Sequence, residues 1–221
     1  MIVNNKRGVI ANKKNNASLN ERSCFHGKAL GGGLNGSGKR FGIVVSRFNA
    51  FITERLLQSA FDGLLRSGVA EKAIQIVRTP GAFEIPSAAR TLAESGKYDA
   101  ILCIGCLLRG DTAHYDVIVN EVTRGIGQSA QETGVPHAFG VLTCETLEQA
   151  IDRAGLKMGN KGFEAALAAV EMANLKRAIS TQHSAVSEKK QIPRRSAPRN
   201  DKKSGSLRTA AKKSKGLKSR H

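Results

Sequence analysis

The sequence contains no apolar stretch approaching the roughly 20 residues needed to span a bilayer, and it has no tryptophan and only five prolines. These absences exclude a helical membrane protein and, with no Gly-X-Y repeat, a collagen. The N-terminus sets Lys6, Arg7, Lys13 and Lys14 around only Gly8-Val9-Ile10-Ala11, which lacks the apolar core of a secretory signal. With Arg7 and Arg22 as the only arginines of the first 38 residues, transit-peptide character is weak as well. A soluble, cytoplasmic protein is expected. Cysteines are few: Cys24, Cys103, Cys106 and Cys144. A chain of this size needs no disulfide staples, so reduced thiols are expected. Cys103-Ile104-Gly105-Cys106 has the spacing of a zinc or redox pair, but it lies in an apolar run typical of a strand, where side chains three apart face opposite sides of a sheet. No second such pair completes a zinc site, and the two thiols are expected to be small buried hydrophobes.

Acidic residues are scarce overall, 18 against 35 Lys plus Arg, for a net charge of +17. The imbalance is local. Residues 1–38 carry +5, residues 39–175 carry −1 and residues 176–221 carry +13. The centre is therefore a near-neutral globular domain, and any affinity for nucleic acid belongs to the tail. Three regions are expected: a mobile Asn/Lys/Gly-rich extension over 1–38, a globular domain over 39–179 and a disordered basic tail over 180–221.

What remains is a 40% hydrophobic chain with alternating periodicities. Short β-branched or apolar runs occur at Phe41–Val45, Ile74–Val77, Ala100–Ile104 and Ala138–Leu142. They alternate with helical spacing from Thr53, a plausible N-cap, to Gly68, and then over about Phe83–Glu94, His114–Thr133, Leu147–Ala154 and Gly162–Ile179. Strands separated by helices predict an α/β fold: a four-stranded parallel sheet with helices on both faces. Ligands of such sheets bind beyond the carboxyl ends of the strands.

Four segments at those ends carry the chemistry. Ser46-Arg47-Phe48-Asn49 offers an aromatic that is either a platform for a flat heterocycle or a plug under the loop. In Thr79-Pro80-Gly81-Ala82-Phe83-Glu84-Ile85-Pro86, Gly81 permits close backbone approach, and Glu84 either binds hydroxyls or caps a helix. Leu108-Arg109-Gly110-Asp111-Thr112-Ala113-His114-Tyr115-Asp116 places the Asp111 and Thr112 amides at a helix N-terminus, where an anion binds. Beside them is His114, of the side-chain type most used for proton exchange near neutrality, although a lone histidine is often structural. Finally, Arg153, Lys157 and Lys161 are either a solvated face or the rest of a phosphate site.

Taken together, these segments resemble the lumazine synthase family over about residues 40–176. The motifs are Arg47-Phe48-Asn49, Gly81 to Pro86, Arg109 to Asp116, and Arg153-Ala154-Gly155 with Gly159-Asn160-Lys161-Gly162. Both tails lie outside the resemblance, and the long basic C-terminus departs from the usual family length. The resemblance implies a flavodoxin-like three-layer α/β/α fold. It also implies condensation of 5-amino-6-(ribitylamino)uracil with 3,4-dihydroxy-2-butanone 4-phosphate to 6,7-dimethyl-8-ribityllumazine, releasing phosphate and water, without metal or organic cofactor. By the same resemblance Phe48 stacks on the pyrimidine. Ala82, Phe83 and Glu84 hold the ribityl chain and ring edge, and the backbone of Cys106, Leu107 and Leu108 contacts the ring. Asp111, Thr112 and Arg153 hold the phosphate, Phe139 covers the pyrimidine from a neighbouring subunit, and His114 transfers protons. A homopentamer is implied, and the uninterrupted Gly155 to Gly162 connection resembles members that build icosahedral shells. Two other readings compete: the related archaeal type of riboflavin synthase, disfavoured by the intact phosphate site, and a shell-forming scaffold whose tail recruits polyanions.

Overall fold

A computed structural model of the chain describes residues 29–157 and 159–189. Cys24, the greater part of the N-terminal extension and residues 190–221 of the basic tail lie outside the described residues, as do the expectations made for them.

Four strands, β1 (Phe41–Ser46), β2 (Ile74–Thr79), β3 (Ala100–Leu108) and β4 (His137–Cys144), form one parallel sheet in the order β2-β1-β3-β4. Between and after them run α1 (Ala50–Arg66), α2 (Ile85–Glu94), α3 (His114–Thr133), α4 (Leu147–Arg153) and α5 (Lys161–Lys189). The expected flavodoxin-like α/β/α architecture is the one observed. β1 and β3 are central, and their residues pair in register, Val44 with Cys103 and Val45 with Ile104. Both strands are almost wholly buried, which is why they read as continuous apolar runs rather than as alternations.

Strand alternation deals these side chains to two cores. Ile43, Val45, Leu102, Ile104 and Cys106 face α1 and α5, with Leu56, Leu64, Ala166 and Val170 opposite them. Val44, Ile101 and Cys103 face α2 and α3, meeting Ile85, Ala89, Val122 and Ile126. Cys103 and Cys106 therefore lie on opposite faces, as their spacing predicts. The alanines of α5 let it approach α1 closely, and a Cβ on Gly162 would stand 2.0 Å from the Leu56 carbonyl oxygen.

Three local expectations need correction. Thr53 is not an N-cap: α1 starts earlier because Asn49 takes the left-handed conformation at φ 58° and serves as the cap residue, which asparagine tolerates better than most side chains. Thr53 is instead buried within the helix. The Gly-rich run before β1 is not a free linker either. Asn174 Nδ2 donates to the carbonyls of Gly33 and Asn35 at 2.6 and 3.0 Å, Gly36 N donates to Ser67 O at 2.7 Å, and a Cβ on Gly32 would lie 2.0 Å from Glu171 O. Here glycine permits contact rather than motion. Finally, α5 continues ten residues past Ile179, where disorder was expected; Ser180 and Thr181 hydroxyls bond back to the carbonyls of Lys176 and Arg177, so polar composition there does not break the helix.

Candidate active site

The carboxyl ends of β1, β2 and β3 open into a cavity of about 570 Å³. Its lining includes Phe48 and Asn49 after β1, Gly81, Ala82, Phe83 and Glu84 after β2, and Leu107, Leu108, Thr112, His114 and Tyr115 at the β3–α3 junction. Three loops remote in sequence thus converge on one space. Phe48 is 68% exposed and Phe83 56%, so Phe48 stands open at the cavity and is not a plug beneath its loop. Asn49 fixes that loop by donating from Nδ2 to the Cys106 carbonyl at 2.9 Å. Cys106 itself is 1% exposed; its side chain belongs to the core, and burial pushes its thiol up to about 12. Cys103 is likewise raised to about 12 by burial. Neither supplies a thiolate near neutrality, and both are structural.

Glu84 is the residue preceding α2, yet its side chain caps none of the helix amides. Its Oε2 accepts from the Gly81 amide at 2.9 Å, which folds the loop and keeps the carboxylate at the cavity wall. The capping alternative falls away.

The β3–α3 loop carries the polar chemistry. Among the described residues the amides of Gly110, Asp111, Thr112 and Ala113 donate to no backbone or side-chain acceptor, and they precede a twenty-residue helix. Unsatisfied amides at the positive end of a helix dipole suit a phosphate. Thr112 and His114 line the cavity, whereas Asp111 is exposed and outside its lining.

Phe139 and Arg153 are elsewhere. They line a second cavity of about 510 Å³ with Thr143, Cys144, Gln149 and Lys161, built from β4, α4 and the start of α5, and no lining residue is common to the two cavities. Phe139 is 46% exposed although it lies in a strand. Arg153 forms no salt bridge among the described residues, while Lys161 is paired with Glu164. Of the three cations, Arg153 and Lys161 line this cavity and Lys157 does not.

The sequence profile of 6,7-dimethyl-8-ribityllumazine synthase matches residues 38–177. The chain belongs to that family. It is also 57% identical over 144 residues to the 6,7-dimethyl-8-ribityllumazine synthase of Desulfotalea psychrophila (strain LSv54 / DSM 12343), covering 65% of this chain and 93% of the relative. As a member of the lumazine synthases it is a transferase of riboflavin biosynthesis, and the scaffold reading is not favoured. Among the described residues no helix is long and apolar enough to cross a membrane, and no group of His, Cys, Asp and Glu could hold a metal ion.

Several residues that line the two cavities escaped the sequence reading. Asn49 was legible only as part of a motif, because its left-handed backbone and its bond to Cys106 are tertiary facts. Tyr115 and Ile118 follow His114 on α3 and complete the first cavity. Gln149 completes the second beside Lys161, already a candidate cation of the phosphate site, and the two share a cavity only once α4 and α5 are folded against β4.

Proposed function

We propose that the chain performs its family's condensation at a site completed between subunits, with the β1–β3 cavity of one protomer facing the Phe139 and Arg153 cavity of the next. The observation that carries this reading is the separation of the expected site residues into two cavities with no lining residue in common. A half-exposed phenylalanine on a strand and an arginine without a salt bridge among the described residues are what an unassembled half-site presents. A closed ring satisfies both halves at once, because each protomer gives one and receives one. The assembly proposed is the family's homopentamer, with an icosahedral shell of about sixty subunits as its higher form, in the cytoplasm.

The roles follow from position. Phe48 stacks on the pyrimidine, and Ala82, Phe83 and Glu84 hold the ribityl chain and ring edge beside it. The β3 end at Cys106, Leu107 and Leu108 borders the ring. Asp111 and Thr112 supply amides to the phosphate of 3,4-dihydroxy-2-butanone 4-phosphate, and the neighbour's Arg153 supplies a forked cation. The amine of 5-amino-6-(ribitylamino)uracil attacks the ketone, and loss of water leaves an imine. Removal of the proton from the neighbouring hydroxyl-bearing carbon then expels the phosphate and leaves an enol, which tautomerises to a ketone, and the ribityl-bearing nitrogen closes the ring on that new ketone with loss of a second water. His114 moves the protons of these steps, and the amides and Arg153 stabilise the departing phosphate. Both reactants are intrinsically reactive, so holding them in contact supplies much of the acceleration.

The basic tail takes a separate role. Residues 176–221 hold 15 basic and 2 acidic side chains and no aromatic, so polyanions are bound through charge alone and without base readout. Repetition over an assembly strengthens weak contacts by multivalency. Incubating the purified protein with both substrates and following lumazine absorbance, with the assembly weighed by mass photometry, tests the whole reading. Turnover by a ring supports it. Turnover by a lone protomer rejects the shared site.

A further inference from the structure

The loop that holds His114 has little to hold itself. Among the described residues no backbone hydrogen bond is donated by Gly110 to Ala113, and α3 begins with Ala113 as its N-cap and no side-chain cap. Alanine is a poor capping residue, so the twenty-residue helix starts at the histidine with no side chain capping its first turn.

Arg109 makes up the deficit from the other end of the loop. Its amide donates to Cys144 O at 2.9 Å, anchoring it to β4 beyond the last residue of β3. Its Nη1 and Nη2 donate to Asp116 Oδ2 and Oδ1 at 3.1 and 2.9 Å. Its Nε lies 2.5 Å from Glu145 Oε2, and its guanidinium carbon sits 4.3 Å over the Tyr115 ring. Tyr115 and Asp116 are the two residues that follow His114, so one side chain grips both. Glu145 is tied in turn, through its amide to Gln149 Oε1 at 2.9 Å, and Gln149 lines the second cavity.

The two arginines thus have different work. Among the described residues Arg153 forms no salt bridge and is available to an anion, while the donors of Arg109 are committed to two carboxylates. Without Asp116 and Glu145 a cation at a helix N-terminus would be disfavoured by the dipole. The Arg109 guanidinium in turn holds the Asp116 carboxyl below its usual range.

We propose that Arg109 is a positioning residue for the synthase reaction: its side chain closes the Gly110 to Ala113 loop onto the first turn of α3 and so sets His114 against the substrates. The inference rests on the proton-transfer role proposed for His114. A planar fork over a ring is required, which a lysine ammonium cannot reproduce.

The test compares full-length assembled wild type, Arg109→Lys, His114→Ala and the double variant. Arg109→Lys should lower kcat about tenfold and leave the KM for the pyrimidine within about twofold, because Phe48 and residues 81–84 stand on other loops. The double variant should be no slower than His114→Ala alone, since a residue acting through His114 has nothing left to position. A wild-type kcat in Arg109→Lys, or losses that multiply in the double variant, overturns the proposal while leaving His114 in place. Wild-type turnover in His114→Ala overturns the histidine assignment and the proposal together. Should Arg109→Lys fail to assemble, Glu145→Gln keeps the Asp116 pair and enters the same cycle, with a smaller loss in the same direction and the same non-additivity expected.

Discussion

The two cavities differ in kind. The one at the ends of β1, β2 and β3 is largely apolar, walled by Phe48, Phe83, Leu107, Leu108 and Tyr115, with Asn49, Glu84, Thr112 and His114 as polar members. The one beside β4 is cationic, with Arg153 and Lys161 around an exposed Phe139. A flat heterocycle suits the first and an anion the second. Neither suits the whole reaction, which must bring an amine on a pyrimidine to a ketone on a phosphate ester. On the proposed reading each cavity is a half-site, chemically coherent but incomplete, and assembly is a condition of catalysis rather than a consequence of stickiness.

That contrast can be broken at several points. The largest effect is expected at His114: replacement by Ala should slow turnover by about 10²-fold, the loss typical of a positioned acid or base, as read from steady-state rates near neutral pH. Next is Arg153→Ala, which should raise the half-saturating concentration of the butanone phosphate by an amount equivalent to about 1.5–3 kcal/mol, the worth of a charged hydrogen bond. The pyrimidine should respond much less, and equal effects on both substrates would remove Arg153 from the phosphate site. Phe139→Ala should do the reverse, weakening the pyrimidine by about 0.5–1.5 kcal/mol with little change for the phosphate. If only the phosphate responds, the second cavity does not cover the ring. The smallest effect is expected from removing residues 190–221: lumazine formation should be unchanged because no proposed site residue lies there. Retention on heparin at low salt should be lost with them, and intact protein that fails to bind heparin would reject the polyanion role.

Most of the fold was legible because buried parallel strands and amphipathic helices leave periodic signatures. β1 and β3 show continuous apolar runs, and α3 places Val122 and Ile126 on one face. The errors arose where tertiary contact overrode local chemistry. Gly31 to Gly38 has the composition of a linker, yet Gly32 and Gly36 are packed against Glu171 and Val69. Asn49 rather than Thr53 begins α1 because the chain must turn sharply out of β1, and asparagine allows it. Of the site, the strand-end loops could be read from position alone. The split between two cavities could not, since it depends on β4 being the sheet edge away from β1 and β2. Arg109 was hidden for a related reason: its partners Asp116 and Glu145 meet only when the ends of β3 and β4 are brought together by their register.

The most direct test of a shared site is subunit complementation. His114→Ala and Arg153→Ala, each defective alone, are unfolded together in equal amounts and refolded into mixed rings. In a ring whose site takes His114 from one protomer and Arg153 from its neighbour, about one quarter of the sites combine both native residues, so activity should return to about a quarter of wild type. Mixed rings no more active than the separate variants would mean that a single protomer holds the entire site, and would contradict the account.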